Sequence, residues 1–231
     1  MRVLLHWGGR TDVAVKDASE FNALRQIQTN IAKQVVLEDP ASEVASIGAV
    51  AQSFDDSLVF SSAVVVDTLM KIIDESASIA KTAMPYVPGL LFFREGPAVI
   101  ATVEKLRRRP DVLIVHGCGI NHPRFAGLAS HVGVILNTST VGMSKKALCG
   151  EYAKPAQAGR PTALTFNGKP LGFVSKNGGR HKTDLHQSRK PYFVAGRIAN
   201  RSALRGEPQI TGAALFGAYQ GQATSIRDAF W

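Results

Sequence analysis

The residues of this sequence that could do chemistry gather in three places. The first is the turn His116-Gly117-Cys118-Gly119, which follows the continuous apolar run 112–115. A strand that apolar is buried on both faces, and α/β folds place their sites in the loops at the carboxyl ends of such strands. The second is Pro85-Tyr86-Val87-Pro88-Gly89, where two prolines fix backbone angles and make a stiff loop. The third is a basic, glycine-rich loop over 176–190 with Arg180, His181, Lys182, Arg189 and Lys190, continued by Arg197, Arg201 and Arg205. Charge at that density favours phosphate, and a solvated loop is the competing reading. Arg107-Arg108-Arg109 poses the same choice between phosphate and a solvated helix terminus.

The whole chain repeats the bias. Its 231 residues carry a formal charge of +9, which lowers the cost of approaching a polyphosphate and makes nucleic acid the leading partner class. No apolar run approaches the roughly 20 residues a membrane-spanning helix needs, and residues 1–9 are too short and too polar around His6 for a secretory signal. Cys118 and Cys149 are too few for a disulfide framework and lack zinc-site spacing. An intracellular setting, cytoplasmic or organellar, is expected. Asp55, Asp56 and Asp67 read as turn or strand-end carboxylates rather than metal ligands.

One domain spanning 1–231 is expected from the length. Phe21, Leu24, Ile27, Ile31 and Val35 recur at helical steps and predict a helix over 17–36. Strands are expected over 44–54 and 58–66, joined by the turn Phe54-Asp55-Asp56-Ser57, with a third antiparallel strand over 76–83. A helix over 96–109 would place Pro97 near its start and three arginines at its end. Further along come a short helix over 126–131, a buried strand over 132–137 and a helix beginning over 144–148. Strands over 171–175 and 192–195 follow, then a last helix over 200–204. The order gives an α/β architecture, a mixed sheet flanked by helices.

Four segments in order resemble the motifs of the endonuclease V family: Pro85-Tyr86-Val87-Pro88-Gly89 with Phe93-Arg94-Glu95; Val115-His116-Gly117-Cys118-Gly119-Ile120-Asn121-His122-Pro123-Arg124; Ala129-Ser130-His131; and Val141-Gly142-Met143-Ser144-Lys145-Lys146 running to Gly150. The match is densest from Met84 to Gly150. The resemblance implies a ribonuclease H-like fold and an enzyme that finds inosine in DNA or RNA and cuts one phosphodiester beyond it with Mg²⁺ or Mn²⁺. Clustered carboxylates hold such hard cations, which activate water and neutralise charge growing on phosphate.

Residue by residue, the resemblance is incomplete. Ala51, in Ala49-Val50-Ala51-Gln52-Ser53-Phe54, and His116 stand where the family has metal aspartates, and Ala195-Gly196-Arg197-Ile198 lacks the family's histidine. Glu95 matches the catalytic glutamate and Lys145 the phosphate-contacting lysine, although a surface ion pair with Arg94 and a solvated lysine would explain both without function. Glu95 and His116 are weak metal candidates, and imidazole suits Zn²⁺ or Mn²⁺ better than Mg²⁺. No cofactor is expected unless the site has been rebuilt. The family's strand-separating wedge is matched by Pro85, Tyr86, Val87 and Pro88, and its base pocket, largely main-chain amides, by Gly117, Gly119, Ile120 and Gly127, with His122 and Arg124 at the rim. Lys146, Arg180 and Lys182 complete the nucleic-acid contacts. Three readings stand: a binder of inosine-type or structured nucleic acid whose metal-dependent cleavage is lost or strongly impaired, an active endonuclease with a rearranged metal site, and a scaffold subunit in a larger nucleic-acid assembly with protein partners.

Overall fold

Small and β-branched residues build the first hairpin. Strands β1 (Ser46–Asp55) and β2 (Leu58–Asp67) pair antiparallel, with Asp55 opposite Leu58, so the chain reverses across two residues. The computed structural model describes residues 18–37, 44–55, 57–82, 84–154, 160–176 and 191–195. Strand β3 (Ile72–Lys81) continues the meander and starts four residues before the expected strand. The Asp67 carboxylate accepts the Leu69 and Lys71 amides at 2.9 Å each, which tightens the reversal and lets pairing resume at Ile72. Asp67 is thus the turn carboxylate expected of it.

Helix α1 (Ala18–Ala32) stops four residues short of the expected end, where Gln34 N–H turns back to the Ile31 carbonyl at 2.9 Å in a tightened last turn. Helix α2 (Leu91–Glu104) begins five residues earlier than the sequence suggested, so Pro97 lies in its second turn and the three arginines lie beyond its end. They therefore do not complement the helix dipole. Instead the Asp74 carboxylate of β3 accepts the Arg107 and Arg108 amides at 2.6 and 2.8 Å.

Strand β4 (Val112–His116) is buried as expected. Helix α3 (Leu128–Leu136) absorbs both the short helix and the strand expected over 132–137. Strand β5 (Thr140–Ser144) then occupies the start of the stretch read as a helix over 144–148, and the Ser144 hydroxyl donates to the Lys146 carbonyl at 3.0 Å in the bend that follows. Strands β6 (Glu151–Tyr152), β7 (Thr162–Phe166), β8 (Lys169–Lys176) and β9 (Pro191–Ala195) complete the described elements; the first two were not read from sequence. The loop residues Arg180, His181, Lys182, Arg189 and Lys190, the segment from Gly196 and the helix expected over 200–204 lie outside the described residues.

Among the described residues one sheet runs β3-β2-β1-β4-β5-β9-β8-β7-β6, with β1, β4 and β5 parallel and β1-β2-β3 antiparallel. That is the ribonuclease H-like mixed sheet. Val50, Val65, Leu113 and Val115 of the sheet bury against Val99 and Val103 of α2 and Leu128 and Val132 of α3. Each such side chain contributes roughly 1.5–3 kcal/mol by leaving water. Phe21, Leu24 and Ile27 of α1 pack on Met84, Leu90 and Phe93, which ties α1 to the proline loop. No helix among the described residues is long and apolar enough to cross a membrane.

Candidate nucleic-acid and metal site

Parallel pairing of β1 with β4 ends at Val50 opposite Val115. Ala51 and Gln52 therefore emerge beside His116 at the carboxyl edge of the sheet, and α2 brings Glu95 over the same edge. Glu95 is 3% exposed, which overturns the reading of it as a surface ion pair. Arg94 turns away and lays its guanidinium over the Phe54 ring, 4.8 Å from the centroid. Gln52 Nε2 donates at 2.8 Å to Glu95 Oε2 and at 2.8 Å to the His116 carbonyl, so one neutral amide joins β1, α2 and β4. Burial pushes the Glu95 carboxyl above its ordinary range, opposed by the Gln52 amide and then by the Arg94 charge. Burial, with the Lys145 ammonium adding to it, holds the His116 imidazole below its ordinary range and therefore neutral. Lys145 and Lys146 follow β5 at the surface.

The turn after β4 is closed by its own hydrogen bonds. Gly117 N–H donates to the Met143 carbonyl at 2.8 Å, Gly119 N–H to Asn121 Oδ1 at 2.9 Å, and Gly127 N–H to the Gly119 carbonyl at 3.0 Å. A Cβ at Gly127 would come within 2.2 Å of the Cys118 carbonyl oxygen, so this close approach demands glycine. Ile120 packs into the apolar cluster of Leu164, Leu171 and Val174. Cys118 Sγ lies 3.5 Å from the Ser144 hydroxyl, and burial raises its thiol pKa.

The proline loop is anchored at both ends by buried Met84 and Leu90, while Tyr86 at its tip is 59% exposed. Its last residue, Gly89, has φ +77°, a left-handed value that disfavours any side chain. The Gly89 carbonyl receives Gln28 Nε2 at 2.9 Å, Arg124 Nη2 at 2.9 Å and His122 Nε2 at 3.1 Å. His122 Nδ1 accepts the Arg124 amide, which leaves the proton on Nε2. Burial and the neighbouring Arg124 lower its pKa to about 4, so it stays neutral. His122 and Arg124 thus turn inward as braces of the proline loop; the rim position expected of them is not where their side chains bond. His131 is a core histidine, stacked 4.0 Å from Phe92 and bonded through Nδ1 to the Gly127 carbonyl at 3.0 Å.

A family model described as Endonuclease V matches residues 29–195. The chain belongs to the endonuclease V family. An endonuclease V from Rippkaea orientalis is 34% identical over 175 residues, covering 74% of this chain and 73% of that protein. The crystal structure of the catalytic domain of human endonuclease V matches 93% of this chain and 98% of its own at 26% identity and TM-score 0.68. A Ciona intestinalis endonuclease V, solved with a 24mer DNA containing an inosine followed by a ribo-adenosine, covers 92% of this chain and 100% of its own at 19% identity and TM-score 0.60, a likeness of fold alone.

The metal that endonuclease V resemblance implies does not fit the described residues. No three His, Cys, Asp or Glu side chains converge on a cation position among the described residues, Ala51 supplies no donor, and Glu95 Oε2 is already taken by an amide. Gln28, Gln52 and Asn121 were missed in the sequence, yet each bonds within these motifs. Gln28 did leave a signal, for it falls on the helical stripe of Phe21, Leu24 and Ile31, where a polar residue is out of place.

Proposed function

We propose that this chain is a single-domain, intracellular endonuclease V relative that binds inosine-type or structured nucleic acid and has lost, or all but lost, metal-dependent strand cleavage. The Gln52 amide carries this reading. An N–H donor and a cation compete for the same carboxylate oxygen, and here the donor is part of the chain, 2.8 Å from Glu95, with alanine in place of one family aspartate and a neutral imidazole in place of another. Hard cations need several anionic oxygens, and catalytic groups act as a unit, so losing one already costs orders of magnitude in rate. Binding draws support from other features: the exposed Tyr86 on its stiff loop, Lys145 and Lys146 at the site's edge, the +9 charge, and inosine-containing DNA as the ligand of the Ciona relative. Both described cysteines are free thiols, as suits a reducing compartment.

The test compares labelled inosine and adenosine oligonucleotides, as DNA and RNA, with and without Mg²⁺ or Mn²⁺. Binding that weakens steeply as salt rises, without strand scission, is the expected result. Rapid cutting at inosine would restore the active-nuclease reading, and no binding at low salt would remove the nucleic acid altogether.

A further inference from the structure

From the hydrogen bonds that converge on it, we infer that Gln28 is a positioning residue locking the Tyr86 loop and the turn 117–127 into one reading unit. This rests on the reading of those two segments as the nucleic-acid contact. Gln28 is 1% exposed, and its carboxamide spends every strong bond on the junction. Nε2 donates to the Gly89 carbonyl at 2.9 Å and to the Ala126 carbonyl at 3.3 Å, while Oε1 accepts Arg124 Nε at 2.5 Å.

The two carbonyls lie on different loops, at the foot of the proline loop and at the end of the turn that opens α3. A leucine of similar size would satisfy the apolar stripe of α1 but take the Gln28 donor from the Ala126 carbonyl and the acceptor from Arg124 Nε, and leave the Gly89 carbonyl only its bonds from the turn. Buried polar groups are rarely left so, which makes an amide at this position costly to replace. The mechanical consequence follows from Gly89. Its carbonyl is gripped by donors from α1 and from the turn, so Tyr86, three residues away, cannot swing without breaking bonds that also hold the turn. A wedge and a pocket that must act on neighbouring nucleotides gain from such a fixed separation, because misplacement of a reading group forfeits the contact.

Two variants and one measurement on the unaltered protein test this. The probe is a DNA duplex with one inosine beside a 2-aminopurine, compared with the adenosine duplex. Gln28→Leu is expected to lower the preference for the inosine duplex about tenfold and to quench the 2-aminopurine rise on binding. Its salt slope should stay as in the unaltered protein. Gln28→Glu keeps an acceptor for Arg124 but lacks both N–H donors, so it should behave like the leucine variant. Preference and fluorescence unchanged in either folded variant would overturn the inference. Hydrogen exchange on the unaltered protein needs neither variant nor ligand: the Leu90 amide, bonded to Val87, and the Gly127 amide, bonded to Gly119, should share one opening free energy, read as equal protection once intrinsic rates are divided out. Independent exchange would overturn the lock even if nucleic acid never binds, whereas absent binding with common exchange would leave the lock standing and remove only the nucleic-acid reading.

Discussion

Glu95 keeps a carboxyl group where burial works against its charge. The Gln52 amide and the Arg94 charge offset part of that penalty, and the net shift is still upward. A carboxyl whose pKa rises on folding contributes stability when protonated and loses it as pH climbs past the folded value. Glu95→Gln keeps the shape and an acceptor for Gln52 Nε2 while removing the charge. Near neutral pH it should therefore stabilise the fold by up to about 1 kcal/mol, an advantage that vanishes in acid below the ordinary carboxylate range. Thermal unfolding of the two proteins at pH 7 and at pH 4 is the check. A destabilised variant at pH 7 would mean that the Gln52 amide and the Arg94 charge favour the carboxylate by more than burial disfavours it.

Elements are held by groups whose work is invisible in the pattern of their own segment. The Asp74 carboxyl of β3 accepts the backbone amides of Arg107 and Arg108 just beyond α2, so it fastens the sheet edge to the exit of the helix. The Arg108 amide, ahead of that of Arg107, holds the carboxyl below its ordinary range despite an opposing cost of burial. Asp74→Ala should lower the unfolding temperature at neutral pH, and the gap from the unaltered protein should close as pH falls through the carboxylate range, since a depressed carboxyl loses its contribution there. Scanning calorimetry across that range measures both. The same scale explains what the sequence made legible. Residues 112–115 are a continuous apolar run, as a strand covered on both faces requires, and the motif loops sit where such strands empty. The second half of helix α3 escaped notice for the same reason: Leu128, Ala129, His131, Val132 and Leu136 are all buried, so no polar face marks its period, and Val132 onward read as a strand. Pro97 misplaced α2 because proline ordinarily opens a helix rather than entering its second turn. In the site, the family resemblance singled out Glu95, His116 and Tyr86, but the Gln52 and Gln28 bridges join segments 43 and 61 residues apart and exist only after folding.

For the whole molecule, imidazoles that the fold holds neutral shape the response to acid; His116 is one, and His122 and His131 are shifted furthest. His122 and His131 both have their pKa lowered from the ordinary 6.5 to about 4, first by burial; Arg124 lowers His122 further, and the Gly127 carbonyl opposes the shift at His131. Folded protein takes up these protons only near pH 4, whereas the unfolded chain takes them up near 6.5. The unfolded state is therefore the better proton binder between those values. The contribution of these two imidazoles should be flat above about pH 6.5 and fall as pH drops toward 4, at a slope approaching about 2.7 kcal/mol per pH unit if both sites titrate independently. Because His131 lies 4.0 Å from the Phe92 ring in a stack, His131→Phe replaces one imidazole by a ring that can keep the stack, and should halve the slope while leaving the His122 brace in place. Urea unfolding at half-unit pH steps distinguishes the outcomes. A midpoint unchanged from pH 7 to pH 4.5 would mean that neither imidazole is held neutral, and with it would go the Nδ1 lone pair through which His122 accepts the Arg124 amide beside the Tyr86 loop.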